Sequence, residues 1–236
     1  MHRSIQPEIL DTLPSDHPSA LACRKDLRII NRCMNHAWLL ERHTRWIRNK
    51  KDGPIRIAEL GSGDGSLACR LLKQWGPVEE GSQVIFVDQA PCLEKDHAQQ
   101  LTALGWQIEN QVMDVFQWAE KAPTDIDLCF ASLFIHHFSF QQIGQLFQKL
   151  SRHTKAFLCL EPRRDWKGLI GAKALCCLRC HPITLNDALI SVQAGFRHKE
   201  LSHIADGNFP PNWERVERPV GPFSHLFLTT CFQGVL

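Results

Sequence analysis

The sequence predicts an α/β fold in which a doubly wound, mostly parallel sheet carries helices on both faces. Between residues 55 and 160, short apolar segments with the length of buried strands alternate with amphipathic segments of helical period. This alternation is typical of βαβ units, because one parallel strand needs a crossover before the next. The length of 236 residues suits one such domain with an additional N-terminal element.

The N-terminal quarter is predicted to form a helical cap over residues 1–52, ahead of the main domain at 53–236. It begins with a stretch, 1–19, that contains three prolines and is expected to be irregular. From Ala22 to Asn49 the apolar residues fall at helical spacing, which indicates one amphipathic helical segment.

Five strands and the helices between them follow in the main domain. The predicted strands are 55–60, 83–88, 107–113, 127–135 and 156–160, and the predicted helices are 66–75, 92–104 and 140–151.

Beyond residue 160 the alternation stops. We expect a helical insertion around 163–196 that acts as a lid. Its first helix is predicted at 166–180, a second helix starts at the capping-box-like Thr184-x-x-Asp187, and a short helix follows within 195–205. Two final strands at 213–219 and 225–231 are expected to pair antiparallel at one side of the sheet.

Composition excludes several classes of function. The net charge is only +2 and no dense basic block occurs, so nothing favours a nucleic-acid partner. The longest apolar runs are well short of the roughly 20 residues that span a bilayer. The N-terminal sequence does not have the pattern of a signal peptide, and we expect a cytoplasmic protein with reduced cysteines.

A glycine-rich turn lies where the first predicted strand passes into the first helix of the alternation. It reads Glu59-Leu60-Gly61-Ser62-Gly63-Asp64-Gly65. Glycines there let the backbone turn sharply and approach a ligand, and the helix N-terminus offers free N–H groups. The dinucleotide fingerprint is G-x-G-x-x-G, whereas this chain has G-x-G-x-G. The early third glycine argues against a dinucleotide.

Three carboxylates are expected at the ends of successive strands, namely Glu59, Asp88 and Asp114. The carboxyl ends of parallel strands meet at one edge, so these acids would point into the crevice where the strand order reverses. A carboxylate in the position of Asp88 can accept hydrogen bonds from both ribose hydroxyls. Any one acid alone could be a solvated strand end. Together they suit a ligand with ribose, an adenine amino group and a cationic methionine part, and they would repel a pyrophosphate.

In these motifs the chain resembles the class I S-adenosylmethionine-dependent methyltransferases. The resemblance covers about 55–236 and rests on Glu59-x-Gly61-x-Gly63-x-Gly65, Asp88, Asp114-Val115, the segment 127–139 and Leu160-Glu161-Pro162. It implies a Rossmann-like seven-stranded sheet, mostly parallel with an antiparallel C-terminal strand. Residues 26–32 and 187–192 are most similar to small-molecule methyltransferases of phenolic lipid and type III polyketide pathways.

The resemblance also implies S-adenosyl-L-methionine as the cofactor and assigns residues to it, without a metal. The residues expected around the methionine part are Glu59, Gly61, Gly63 and Gly65. Asp88 would bind the ribose, and Asp114 with the N–H of Val115 would bind the adenine. The other residues expected beside the cofactor are Ser62, Gln89 and Ala131.

Two adjacent histidines, His136 and His137, follow the fourth predicted strand in the stretch FASLFIHHF. Transfer of a methyl group to a phenolic hydroxyl is helped by a base that removes the proton, and histidine is the commonest such base. The chain has no tyrosine that could replace it. Successive side chains diverge, so we expect only one histidine to face the acceptor. Both could instead be packing histidines.

The sequence therefore predicts O-methylation of a small, apolar phenolic or polyketide-like acceptor. C-methylation of an aromatic or quinone precursor and a cofactor-binding protein without catalysis remain alternatives. The expected partner is a small molecule, and a homodimer is left open.

A different motif, Cys177-Leu178-Arg179-Cys180-His181, fits the C-x-x-C-H pattern of covalent haem attachment. That pattern is specific in exported proteins, and with ten cysteines a chance match is an adequate explanation. A zinc site that uses these residues and Cys176 would lack a second well-spaced ligand pair.

Overall fold

The computed structural model describes residues 1–50 and 52–235. Within them a seven-stranded sheet has the order β3-β2-β1-β4-β5-β7-β6. Its strands are β1 Arg56–Leu60, β2 Gln83–Asp88, β3 Gln107–Val112, β4 Leu128–Ser132, β5 Ala156–Pro162, β6 Glu214–Val220 and β7 Ser224–Thr230.

The pairing confirms the predicted sheet. The first five strands pair in parallel, and β7 is antiparallel to both β5 and β6. The order reverses between β1 and β4, and this switch point is where a crevice opens beyond the carboxyl ends of the strands.

Ten α-helices are found in the described residues. They are α1 Ile9–Thr12, α2 Pro18–Cys33, α3 His36–Lys50, α4 Ser66–Trp75, α5 Lys95–Thr102, α6 Val115–Lys121, α7 Phe140–Leu150, α8 Trp166–Ala174, α9 Pro182–Ala194 and α10 Glu200–Ala205. Helices α3, α4 and α5 cover one face of the sheet, with Trp75 and Trp106 in the core there. Helices α6, α7 and α10 cover the other, around Phe147 and Phe157.

The N-terminal cap differs from the sequence prediction in two ways. The single helix expected over 22–49 is two helices, because Asn35 adopts a left-handed conformation (φ 55°) between α2 and α3. Asparagine tolerates this conformation better than most residues, so one position breaks a continuous amphipathic pattern. The stretch 1–19, expected to be irregular, contains the one-turn helix α1.

The fourth strand is shorter than predicted and ends at Ser132. Leu133 has a φ of 53°, which takes the backbone out of the extended region. A 3₁₀ turn, Ile135–His137, follows. The apolar run that suggested a strand over 127–135 continues into this turn, where Leu133 and Phe134 are half-buried and Ile135 is buried.

Three other helix boundaries also differ. Helix α6 was not predicted, and Asp114 is its N-cap. Helix α9 begins at Pro182 with His181 as N-cap, two residues before the expected start at Thr184. The helix predicted over 166–180 is α8 followed by a 3₁₀ turn, Leu175–Leu178.

Helices α1, α2, α8 and α9 pack against one another beside the crevice. Asp26 on α2 accepts hydrogen bonds from the backbone N–H of His181 (2.7 Å) and the hydroxyl of Thr184 (2.8 Å), which ties the cap to the insertion. No helix among the described residues has both the length and the apolar character that crossing a membrane requires.

Helix α7 begins with a capping box that fixes the end of the histidine loop. Ser139 accepts a hydrogen bond from the N–H of Gln142, and the Gln142 side chain accepts one from the N–H of Ser139. We expect Ser139→Ala to lower the free energy of unfolding by about 1 kcal/mol, measured by urea denaturation. Ser151→Ala, the same change at the other end of the helix, should cost less than about 0.5 kcal/mol. Equal losses would contradict the capping role.

Candidate active site

The turn after β1 is shaped by backbone hydrogen bonds and by a left-handed conformation at Gly61. The N–H groups of Gly61 and Ser62 both donate to the carbonyl of Val87, at 2.9 and 3.2 Å. Gly61 has a φ of 65°, and a Cβ there would lie 2.3 Å from the Phe134 ring. Any larger residue would therefore displace the phenylalanine that separates this turn from the histidine loop.

Asp88 closes the same turn from the end of β2. Its carboxylate accepts hydrogen bonds from the backbone N–H groups of Gly63 (2.8 Å) and Ala90 (2.9 Å). The carboxylate is thus held in place by two loops and lies at the edge of the crevice, as the sequence predicted from its position at a strand end.

Glu59, at the end of β1, is a buried acid that no cation neutralises among the described residues. Burial, with repulsion from Asp64 and Asp88, raises its pKa well above the ordinary range. Its Oε2, the hydroxyl oxygen of Ser62 and the amide oxygen of Asn31 are buried without hydrogen-bond partners in the described chain. An ammonium group would satisfy such oxygens and offset the repulsion, so this end of the crevice fits the amino acid part of S-adenosylmethionine.

The third acid, Asp114, is an N-cap of α6 and accepts hydrogen bonds from the N–H groups of Phe116 and Gln117. The Gln89 amide donates to its other oxygen at 3.1 Å. Three acids thus follow adjacent strands β1, β2 and β3, which is the arrangement that the sequence predicted.

One cavity of about 640 Å³ extends from the glycine turn to the histidine loop. The predicted site residues that line it are Glu59, Gly61, Ser62, Gly63, Asp88, Gln89, Val115, His136 and His137. The remaining three lie just outside its lining. Gly65 is the N-cap of α4, Asp114 caps α6, and Ala131 is buried in the sheet.

Helix α2 supplies polar cavity residues that the sequence analysis did not assign to the site, among them Arg28 and Asn31. Arg28 forms an ion pair with Asp64 (Nε–Oδ2, 2.5 Å) and another with Glu94, which holds the helix over the glycine turn. Asn31, one turn further on, points its unpartnered oxygen into the same region. Their spacing of three residues on an amphipathic helix was the available signal, but it does not distinguish a cavity wall from a solvated face.

The histidine loop is anchored by Glu161, a fully buried residue of β5. Its carboxylate accepts the backbone N–H groups of Phe134 (3.2 Å), Ile135 (2.9 Å) and His136 (3.3 Å). The same carboxylate accepts a hydrogen bond from Nδ1 of His136 at 2.7 Å. Burial opposes a charge there, but the hydrogen bond and charge of His136 lower the pKa of Glu161 below its ordinary value.

His136 is held between two carboxylates. Besides Glu161, Oε1 of Glu8 lies 3.3 Å from its Nε2. Burial alone would lower the pKa of His136, but hydrogen bonds and charge from Glu161 and Glu8 outweigh it and raise the pKa to about 9. His136 is therefore an imidazolium at neutral pH, with both ring nitrogens engaged and only 2% of its surface exposed.

His137 has the opposite character. Burial and the positive charge of neighbouring His136 lower the pKa of His137 to about 4, so it is neutral at physiological pH. Its Nδ1 lies 3.3 Å from Oδ2 of Asp11. The Asp11 side chain is 59% exposed, and its partial burial together with repulsion from Glu8 raises its pKa to about 6. The Asp11 carboxylate can accept a hydrogen bond from Nδ1–H of neutral His137, and Nε2 is then the unprotonated nitrogen.

The N-terminal segment completes this side of the site and was not foreseen. Asp187 of α9 accepts the N–H groups of Ile9 (3.1 Å) and Leu10 (3.0 Å), which places Asp11 beside His137. Arg3 donates to the carbonyl of His136 at 2.9 Å. The Thr184-x-x-Asp187 pattern was interpreted as a cap of its own helix, whereas Asp187 holds a different one.

Most of the cavity surface away from these groups is apolar. The walls come from the cap, the N-terminal segment and the insertion, and include Leu10, Leu13, Leu27, Ile30, Ala172, Leu175, Ala188 and Val192. Most of the wall residues therefore belong to segments outside the parallel sheet.

The C-x-x-C-H segment has other contacts. Cys177 is exposed, Cys180 is buried, and Nδ1 of His181 accepts the N–H of Ile183 at 3.2 Å as a helix cap. Among the described residues the grouping with metal-ligand spacing is instead Glu8, His136 and His137, whose ligand atoms lie within 4.8 Å of one another.

Comparison with known proteins relates the fold to methyltransferase domains. Residues 57–156 match the sequence profile of a methyltransferase domain. No curated protein matches the chain in sequence.

Solved structures of similar fold have low sequence identity. A candidate O-methyltransferase from Nostoc punctiforme PCC 73102 has 15% identity and a TM-score of 0.63, and the match covers 97% of this chain and 64% of that one. This chain thus spans less than two thirds of that protein's length. A magnesium protoporphyrin IX methyltransferase from Synechocystis PCC 6803, with bound S-adenosylhomocysteine, has 15% identity, a TM-score of 0.55 and coverage of 87% and 85%. The plantazolicin methyltransferase has 8% identity, a TM-score of 0.64 and coverage of 94% and 93%.

The carboxylates around His136 predict a pH dependence of stability. The pKa of His136 rises from about 6.5 to about 9 on folding. A raised pKa stabilises the folded state fully below about pH 6.5, and this stabilisation is lost as the pH rises through about 9. We expect the Tm to decline over that window, measured by differential scanning calorimetry.

The contribution of His136 is isolated by comparing variants across the same pH range. In His136→Gln the decline of the Tm with rising pH should be smaller, because no titrating imidazole remains between Glu8 and Glu161. His203→Gln, at an exposed position of α10, should follow the parent chain. A His136→Gln profile parallel to that of the parent would disprove the assignment.

Proposed function

We propose that this chain is an S-adenosylmethionine-dependent methyltransferase that methylates an oxygen of a small, apolar phenolic or polyketide-like acceptor. The methyltransferase domain profile over residues 57–156 and the fold support the first part of the proposal. The observation that carries the proposal is the single cavity that runs from the glycine turn to a neutral histidine.

The cofactor side of the proposal follows from the groups around the glycine turn. When bound, S-adenosylmethionine supplies an electrophilic methyl group on a positively charged sulfur. Glu59, Ser62 and Asn31 have oxygens without partners that would accept from its ammonium group. Asp88 would hold the ribose hydroxyls, since its carboxylate is already fixed by Gly63 and Ala90.

On the acceptor side we assign the role of general base to His137 rather than His136. A base needs a free lone pair, and both ring nitrogens of His136 are engaged by carboxylates. His137 is neutral, lines the cavity and lies beside Asp11, which would stabilise the imidazolium that forms on proton transfer. This carboxylate–histidine arrangement is the one that orients bases in other enzymes.

The chemistry of the acceptor is inferred from the walls. Apolar side chains of α2, α8 and α9 would bind an aromatic or alkyl body and exclude water from the reacting oxygen. The polar groups are concentrated near His137, so a hydroxyl is expected at that end of the acceptor. Methylation on carbon is the alternative, and identification of the product by mass spectrometry and NMR decides between them.

Cofactor binding tests the first half of the proposal. We expect Asp88→Ala to weaken S-adenosylmethionine binding by about 10- to 100-fold in isothermal titration calorimetry, because a charged hydrogen-bond acceptor is removed. Asp96→Ala removes an exposed acid on α5 and should leave the affinity unchanged. Failure of the parent chain to bind the cofactor would refute the proposed function.

Transfer to a panel of phenols tests the second half. His137→Gln should lower kcat by about 10² to 10⁴ with little effect on cofactor affinity, because a general base supplies a factor of that size. The exposed His203→Gln is the matched control. If His137→Gln keeps full kcat on a phenol that the parent chain methylates, His137 is not the base.

A chelator distinguishes a base from a metal ligand at the same position. Because Glu8, His136 and His137 have metal-ligand spacing, the assay is repeated after dialysis against EDTA. A free base predicts unchanged kcat. Loss of activity that a divalent cation restores would contradict the role given to His137.

A further inference from the structure

We propose that the hydroxyl of Ser132 is a fixed hydrogen-bond donor to the acceptor oxygen, oriented by His36 and Ser224. Ser132 ends β4 and lines the cavity, whereas His36 and Ser224 are buried behind it. The inference rests on the proposed function, since it concerns the oxygen that is methylated there.

The three residues form one short chain of hydrogen bonds. Nδ1 of His36 lies 2.8 Å from the Ser132 hydroxyl oxygen, and Nε2 lies 2.9 Å from that of Ser224. His36 is fully buried at the start of α3, and Ser224 begins β7. The chain of hydrogen bonds therefore runs from the start of β7, beside the carboxyl end of β5, to the end of β4 at the cavity.

The direction of these hydrogen bonds follows from the requirement that each buried N–H or O–H group has an acceptor. Burial lowers the pKa of His36 to about 4, so its ring is neutral and has one donor and one acceptor nitrogen. The Ser224 hydroxyl has no other partner among the described residues. If Nε2 donated to Ser224, the buried O–H of Ser224 would have no acceptor, which is costly.

The opposite direction satisfies every donor behind the cavity. The Ser224 O–H donates to Nε2, and Nδ1–H donates to the oxygen of Ser132. The O–H of Ser132 is then left to donate into the cavity. Its natural partner is an oxygen that carries negative charge, because hydrogen bonds to charged acceptors are the stronger ones.

The position of Ser132 suits a hydrogen bond to a negatively charged acceptor oxygen. Ser132 lies at the switch point between β1 and β4, one residue before the left-handed Leu133. It therefore lies between the glycine turn and the histidine loop. When His137 takes the acceptor proton, the electron pair remains on the acceptor oxygen, and Ser132 would stabilise that charge without forming a covalent bond.

The first test reads the tautomer of His36 and needs no substrate. In the ¹⁵N-histidine-labelled chain, we expect nitrogen chemical shifts of the Nδ1–H form for His36. The signal is assigned as the one that moves in both Ser132→Ala and Ser224→Ala. An Nε2–H tautomer would overturn the proposal, whatever the enzyme methylates.

The second test measures the charge on a bound phenol. 4-Nitrophenol is titrated in the presence of S-adenosylhomocysteine, and ionisation is followed by phenolate absorbance. The parent chain should lower the apparent pKa of the bound phenol, and Ser132→Ala should raise it by about one to two units. In turnover, Ser132→Ala should lower kcat by about 10- to 100-fold and leave cofactor affinity unchanged.

Two variants separate this role from a structural one. Ser132→Thr keeps the hydroxyl and should retain most of the phenol shift. Thr44→Val removes a buried hydroxyl on α3, the helix that begins at His36. Among the described residues this hydroxyl donates to the carbonyl of Leu40, and its removal should change neither readout. If the parent chain methylates phenols and Ser132→Ala has the same bound-phenol pKa and the same kcat, the donor role of Ser132 is refuted. The proposed function would then still stand. If the parent chain neither binds nor methylates phenols, the proposed function fails first, and this role fails with it.

Discussion

The acceptor side of the cavity depends on one buried carboxylate. Glu161 holds the histidine loop by three backbone N–H groups and fixes the charge of His136, which in turn holds Glu8 of the N-terminal segment. Removal of one partner from such a buried pair typically costs about 3–5 kcal/mol, because the remaining charge has no solvent. Three separate parts of the chain are thereby locked together. Burial, together with the positive charge of His136, lowers the pKa of His137.

The sheet and the cofactor side could be predicted from sequence because their signals are local. Strands β1, β2, β4 and β5 are largely apolar runs of a few residues. Glu59, Asp88 and Asp114 stand at or beside the ends of β1, β2 and β3. The glycine spacing lies within seven residues. Parallel strands bring their carboxyl ends to one edge, so position along the sequence was enough to bring these groups near one crevice.

The acceptor side could not be predicted because its contacts join distant residues. Glu8 and His136 are 128 positions apart, and Leu10 and Asp187 are 177 apart. Adjacent histidines look equivalent in sequence, and only the carboxylates around them make one charged and the other neutral. The cap was mispredicted for another reason, since one left-handed residue, Asn35, divides a pattern that is periodic on both sides.

These separations along the sequence also affect the order in which the glycine-turn half and the histidine half of the cavity assemble. The glycine turn and Asp88 are close in sequence, so the cofactor half can form as soon as the first strands pair. Residues 1–12 leave the ribosome early but can dock only after α9 and the histidine loop exist. Closing loops of this length is entropically unfavourable until those surfaces are in place. The histidine end of the cavity is therefore expected to mature last, on a sheet that already carries the glycine turn and Asp88.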